Sequence, residues 1–395
     1  MLGPLWNRSF VCCLFLQAIY MLSFNMATPL VAEYVEFLGG TTSLAGLIAG
    51  MFSFLALIYR PFVGVLADRA NRTKLMLIGS VIGAISIAGY GLSSECYMVA
   101  VFRVFHAFAL CVQTTLVSVV ATSFVPKERI AEGVGYVGVA AMLGMSLGPG
   151  FGVIVARECG HSAAFFFAAF LMVVSAFLIS FLPTSNVPRK TKRQKGMHVN
   201  LSSVFDLKSF PLAVSAASFA YCAGLTTSFL VLIGASREID HIAIFYFISS
   251  VGMVVTRPIS GRYADRQGIR ALCFIAFFAE AICMICLSAA SSLCFIVAAS
   301  LFRALGQGIG QATIQGQVLR DSSLEERGKA CSTFYLGVDA GQGAGAIVGG
   351  VLADAFGFGF ALLSALPALL LGLVSFAFWL GGRKSKLEKK MQGFV

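Results

Sequence analysis

Long apolar runs alternate with short charged gaps along almost the whole chain. Runs near 10–31, 43–66, 75–93, 97–123, 131–156 and 163–182 precede one longer polar stretch. A second set follows near 210–234, 242–263, 271–291, 293–318, 329–353 and 358–381. Each run holds roughly the 20 apolar residues that a helix needs to cross a bilayer. The pattern predicts an all-α membrane protein with twelve transmembrane helices. The break between the ninth and tenth runs rests on Ser291-Ser292, which matches Ser93-Ser94 at the same place earlier in the chain. The first run exceeds the core of about 7–15 residues found in a secretory signal, so it reads as a retained helix.

The gaps show that the second set of runs repeats the first. Arg60-Pro61, Gly64, Asp68 and Arg69 return as Arg257-Pro258, Gly261, Asp265 and Arg266, each at an offset of 197 residues (257 − 60). Gly144, Gly148 and Gly152 in the fifth run return as Gly341, Gly345 and Gly349 in the eleventh, at the same offset. Small residues every four positions let helix backbones approach closely. Arg103 in the fourth run has a counterpart, Arg303, in the tenth. The expected organisation is an N-terminal six-helix bundle at 1–182, a basic linker at 183–208, a C-terminal six-helix bundle at 209–382 and a basic tail at 383–395.

Composition agrees. The 395 residues are 58% hydrophobic and 12% charged, with a mean hydropathy of +0.86; soluble domains carry about 25% charged residues. The net charge of +11 raises a nucleic-acid reading. However, the Lys and Arg cluster in alternate gaps, which is a topology signal. Only Arg157 and Arg237 fall in the opposite gaps, while Arg60, Arg103, Arg257 and Arg303 lie within or at the ends of runs. The bias places both termini in the cytoplasm. The basic run 189–195 is then a cytoplasmic linker, in reach of anionic headgroups. Cys283-x-x-Cys286 lies mid-span with no second pair and no nearby His, so it reads as packing.

On these residues the chain resembles the major facilitator superfamily over essentially its whole length. Gly64, Asp68, Arg69, Arg72 and Lys74 match the signature loop between that family's second and third helices. Gly144, Gly148, Pro149 and Gly152 resemble the fifth-helix motif of its drug:proton antiporter branch, and Arg103 resembles that branch's fourth-helix Arg. His106 and Ala107 stand where Gln and Gly are usual, and Ala346 replaces the Pro in the eleventh-helix copy. The resemblance implies the major facilitator fold: two pseudo-symmetric six-helix bundles around a central cavity that opens to either side in turn. It further implies a gate built from Asp68, Arg69 and Arg72, with Asp265 and Arg266 as their repeat. A bacterial inner membrane follows from the branch.

Ionisable groups inside a bilayer default to functional hypotheses. Arg103, with His106 one turn away on the same face, is a candidate for proton coupling or for holding a substrate anion; the alternatives are an Arg bonded to backbone carbonyls and a packed His. Asp339, near the middle of the eleventh run, is the better proton carrier, because desolvation lets a carboxylate load and release protons near neutral pH. Gly337 and Gly341 beside it leave room for a partner helix. Glu280, on a span that the resemblance makes peripheral, either meets another helix or reaches the headgroups, and Glu33 stands at the entrance. Candidates to contact substrate are Gln17, Asn25, Gln113, Tyr221, Thr226, Thr227, Arg303, Gln307 and Gln311, the last two sharing one helical face with Gln315.

The resulting expectation is a secondary active transporter, foremost a proton-coupled exporter of small amphipathic organic compounds. The alternatives are a carrier of one metabolite (sugar, amino acid or metallophore) and a lipid flippase. The expected partners are a small-molecule substrate, protons and membrane lipids, with no nucleic acid, no metal and no cofactor; a monomer suffices. Enzyme classes find no support: His106, His161, His198 and His241 do not cluster, and no metalloprotease motif, P-loop or nucleophile elbow occurs.

Overall fold

The computed structural model describes residues 6–126, 130–183, 206–322 and 327–392. Most of the expected linker therefore lies outside the described residues. Twelve helices among the described residues are long and apolar enough to cross a membrane. They are α1 (Arg8–Phe37), α2 (Thr42–Arg69), α3 (Arg72–Leu92), α4 (Cys96–Ser123), α5 (Ile130–Cys159), α6 (His161–Ser180), α7 (Phe210–Ser236), α8 (Ile244–Gln267), α9 (Arg270–Ser288), α10 (Leu293–Asp321), α11 (Arg327–Leu363) and α12 (Ala365–Gln392). The all-helical membrane fold expected from the apolar runs is the fold observed, for a physical reason. In hydrocarbon every backbone N–H and C=O must be satisfied within the segment, and the helix does this.

The helix starts follow local rules. Asn7 caps α1: its side chain accepts a 2.9 Å hydrogen bond from Phe10 N and donates through Nδ2 to Phe124 O at 2.7 Å. Thr41 and Asn71 cap α2 and α3 in the same manner, accepting from Leu44 N and Lys74 N. The charged gap after the second run is only Ala70-Asn71. Asp68 and Arg69 stand in the last turn of α2, and Arg72 and Lys74 in the first turn of α3. Likewise Asp265 and Arg266 end α8 before the turn at Gly268. The side chains of Asp68, Arg69 and Asp265 lie outside the described residues.

Two compact units emerge. Among the described residues, one holds 6–183 with 227–247, and the other 206–226 with 248–392. Apolar side chains such as Phe170, Phe278 and Phe378 also point outward, while the interiors hold Ser, Gln, His, Arg and Glu among apolar residues both small and large. This is the arrangement that a lipid solvent favours.

Each unit seats its glycine helix in the same way. On α5, a Cβ at Gly144 would lie 2.5 Å from Ala18 O, one at Gly148 would lie 2.7 Å from Asn25 Cβ, and one at Gly152 would overlap Met26 O. On α11, Cβ atoms at Gly337, Gly341 and Gly345 would run into the carbonyls of Ala213, Ala217 and Tyr221 on α7. Thus α5 lies backbone to backbone on α1, as α11 does on α7. Gly349 is buried further along α11. Pro149 is accommodated inside α5, and Ala346 occupies the corresponding buried place on α11.

One further pair of glycines repeats. Gly160 between α5 and α6 has φ 88°, and Gly357 has φ 81°. The two positions differ by the same 197 residues. Gly357 interrupts α11, so the twelfth run begins just after it. Positive φ is open to glycine with little penalty, so a glycine makes both connections.

Overpacking a close helix contact costs about 1–3 kcal/mol or more. Gly148→Leu and Gly345→Leu are expected to lower the thermal unfolding midpoint in detergent. Gly138→Ala, where nothing lies within 4 Å of the new Cβ, should leave it unchanged.

Candidate functional site

The first unit keeps its ionisable interior on α4. Arg103 is 1% exposed. Its guanidinium carbon lies 4.5 Å from the centroid of the Phe52 ring on α2, and Nη2 donates a long 3.4 Å hydrogen bond to Ala49 O. Nε and Nη1 have no hydrogen-bond partner among the described residues. The cation thus rests on an aromatic face, an interaction that strengthens when both groups are desolvated.

His106 is wholly buried one turn further along α4. Its Nδ1 lies 3.0 Å from the Tyr90 hydroxyl on α3. The ring stands edge-on to Phe24 on α1 and Phe52 on α2, with centroids at 5.1 and 5.8 Å. The Tyr90 phenol lies in the same electrostatic neighbourhood as Arg103 and is hydrogen-bonded to the imidazole. Sequence reasoning found Arg103 and His106 but missed Tyr90, Phe24 and Phe52. No spacing signal links them, since they come from three other helices.

Two of this unit's polar candidates, Gln113 and Asn25, have their amide nitrogens engaged. Gln113 donates through Nε2 to Met76 O at 2.8 Å and to Ser80 Oγ, both on α3. Asn25 donates to Met21 O within α1. Gln17 is buried, and its Oε1 has no partner among the described residues. At one end of the unit Glu33 approaches His161 at 3.3 Å, linking α1 to the start of α6. At that same end Arg157 pairs with Asp240, and Phe247 lies against Gly150 and the Phe151 ring.

The second unit pairs its charges. Arg303 on α10 donates through Nη1 to Glu280 Oε1 on α9, and Glu280 has no exposed surface. Glu280 therefore meets another helix and does not reach the headgroups. Three glycines on α10 receive the neighbouring helices in turn: Gly306 takes Glu280, Gly308 takes Thr256 and Met253 of α8, and Gly310 takes Phe219 of α7. The Gly306-x-Gly308-x-Gly310 sequence is thus a packing device on a helix.

On the same ridge of α10 as Arg303, Gln307 donates to Gln311 Oε1 at 2.6 Å. Gln315 donates to the Tyr335 hydroxyl at 2.7 Å. Tyr221 on α7 hydrogen-bonds Ser364 at 2.8 Å, and Thr226 donates to Cys222 O. Asp339 is half-buried on α11. It stands two residues from both Gly337 and Gly341, which puts it on the face turned away from α7. Among the described residues no group of three or more His, Cys, Asp or Glu is placed to hold a metal ion, and Cys283 and Cys286 are unbridged.

The Major Facilitator Superfamily family model matches residues 13–320 and again 242–393. An uncharacterized MFS-type transporter of Methanocaldococcus jannaschii is 24% identical over 371 residues, which cover 90% of this chain and 94% of that one. Multidrug resistance protein 2 of Bacillus subtilis is 26% identical over 192 residues, 48% of either chain. The solved nucleoside transporter NupG matches with a TM-score of 0.77, covering 93% of this chain and 99% of that one at 14% identity, a likeness of fold. With twelve membrane-length helices, an internally repeated framework and a family match from end to end, this chain belongs to the Major Facilitator Superfamily.

Proposed function

We propose that this chain is a proton-coupled secondary transporter that exports small amphipathic organic compounds by alternating access. The observation that carries the reading is the retention of ionisable groups deep in the membrane interior of both units, Arg103 with His106 in one and Glu280 with Arg303 in the other. A charged side chain at mid-bilayer costs about 2.5–3.5 kcal/mol on insertion scales, so such groups persist where ions or protons are handled. The likeness to a multidrug resistance protein supports export of amphipathic compounds.

In this reading Asp339 carries the coupling proton, and its half-buried position lets it reach water in part of the cycle. Arg103 and His106 tune the first unit's interior. Gln17, Asn25, Gln113, Tyr221, Arg303, Gln307 and Gln311 contribute polar contacts to substrate. Asp68, Arg69, Arg72, Asp265 and Arg266 form the cytoplasmic gate. The protein works as a monomer in a bacterial inner membrane with both termini cytoplasmic, and carries out no catalysis. The second reading, a carrier of one polar metabolite, draws on the Gln307–Gln311 face, which suits a hydrogen-bonding solute.

Inverted vesicles energised acid-inside test the reading. Adding amphipathic cations should release protons, followed with a pH-sensitive dye, and Asp339→Asn should abolish the release. No release with any compound in a panel, from folded protein, would favour the metabolite carrier. Unchanged release in Asp339→Asn would remove that residue from coupling.

Orientation has its own test. Cys159 and Cys294 are exposed and lie on the side opposite the termini in the proposed topology. A membrane-impermeant maleimide should label intact cells and fail to label the Cys96→Ser/Cys159→Ser/Cys294→Ser protein, Cys96 being half-buried on that same side. Labelling confined to inverted vesicles would reverse the topology.

A further inference from the structure

The two interior arginines occupy matching places, Arg103 on α4 and Arg303 on α10, yet their surroundings differ in kind. On α4 the next turn carries His106, whose ring fills the space beside Arg103. On α10 the corresponding residue is Gly306, offset by the same 200 residues (303 − 103). Its missing side chain leaves room for a carboxylate from the neighbouring helix, and Glu280 fills it. Helix α3 offers no such acid: the position 197 residues before Glu280 is Gly83.

Glu280 uses only half of its carboxylate. Oε1 accepts from Arg303, whereas Oε2 is buried against the Gly306–Gln307 backbone with no side-chain partner among the described residues. The charged and titratable groups facing it are Arg303 from α10, Cys222 from α7 and Cys283 from its own helix. Helices α11 and α12 also pack against α9 and add no charged group acting on it among the described residues. A buried ion pair is a poor way to gain stability, since well-packed apolar residues of similar volume serve as well or better. Its presence beside a carboxylate oxygen that no side chain engages calls for a second role.

We infer that Glu280 is a proton-binding site, taking up and releasing a proton at Oε2 while Oε1 remains against Arg303. Uptake forms the O–H bond on Oε2 and turns the carboxylate into a carboxylic acid. Arg303 keeps its charge, so the pair passes from net zero to +1. That unbalanced cation favours whichever conformation gives Arg303 water or an anionic group, and this ties proton occupancy to conformation. The inference rests on the proposed proton coupling and adds to it a site distinct from Asp339.

The test needs no transported compound, so its result is separate from that of the flux assay. Purified protein in lipid vesicles is examined by infrared difference spectroscopy as the pH of the bathing buffer is stepped. A carboxylic-acid C=O band that changes with pH is expected in the wild type and in Asp339→Asn, and should vanish in Glu280→Gln. Glu280→Asp should shift the band, because the acid is withdrawn by one methylene. Should Glu280→Gln fail to fold, the neutral pair Glu280→Gln/Arg303→Gln replaces it, with the same loss expected. A spectrum unaltered by folded Glu280→Gln, or a pH-dependent band lost only in Asp339→Asn, would overturn the inference. A missing flux signal with the Glu280 band intact would count against the proposed export and leave the proton site standing.

Discussion

Hydrocarbon offers a side chain neither a hydrogen bond nor a counter-ion, so whatever is polar inside this protein must be answered by the protein itself. Much of the interior reads as a response to that constraint. Ser23 on α1 donates to Ala168 O on α6, and Gln113 on α4 reaches a carbonyl and a hydroxyl on α3. Thr256 on α8 donates to Ala304 O on α10 at 3.0 Å. These bonds join helices that have no hydrophobic drive to associate in lipid, where association depends on close packing and interhelical polar contacts. The glycine contacts of α5 with α1 and of α11 with α7 supply the packing, and the polar bonds fix rotation about the helix axes.

Within this common framework the two units have diverged in chemistry. One places an aromatic face under Arg103 and an imidazole, His106, beside it. The other places a carboxylate against Arg303. Two interchanges separate them: a ring-bearing residue at 106 against Gly306, and Gly83 on α3 against Glu280 on α9. The framework is therefore the part that repeats, and the charge balance is the part that differs.

The framework was legible in the sequence because the membrane imposes it. Crossing hydrocarbon fixes segment length, so the apolar runs located all twelve helices, although α1 runs on to Phe37, α11 to Leu363 and α12 to Gln392, six to eleven residues past the ends of their runs. Close approach of backbones fixes residue size, so Gly144, Gly148 and Gly152 and their repeats marked the seams. Gly160 and Gly357 carried the same signal, but as isolated glycines in short gaps they stood out only once their backbone conformation was known. Partnerships between helices were less legible. Arg303 and Glu280 were each conspicuous, yet their pairing depends on how α9 and α10 are rotated, which neither helix encodes alone. Tyr90 had no signal at all, because a tyrosine in an apolar run is unremarkable until an imidazole lies against it. Gln113, a candidate for contacting substrate, has its amide nitrogen engaged by α3, a bond set by where a carbonyl of that helix happens to face.

The fit of Glu280 into the gap at Gly306 has a mechanical side. The carboxylate reaches Arg303 across the gap at Gly306, and sliding α9 by a single turn, about 5.4 Å, toward the start of α10 would set Phe302 in that place and part the two charges. The pair therefore works as a dowel. It opposes shear between these two helices while the charges stay paired, which directs large motion in this half toward other seams.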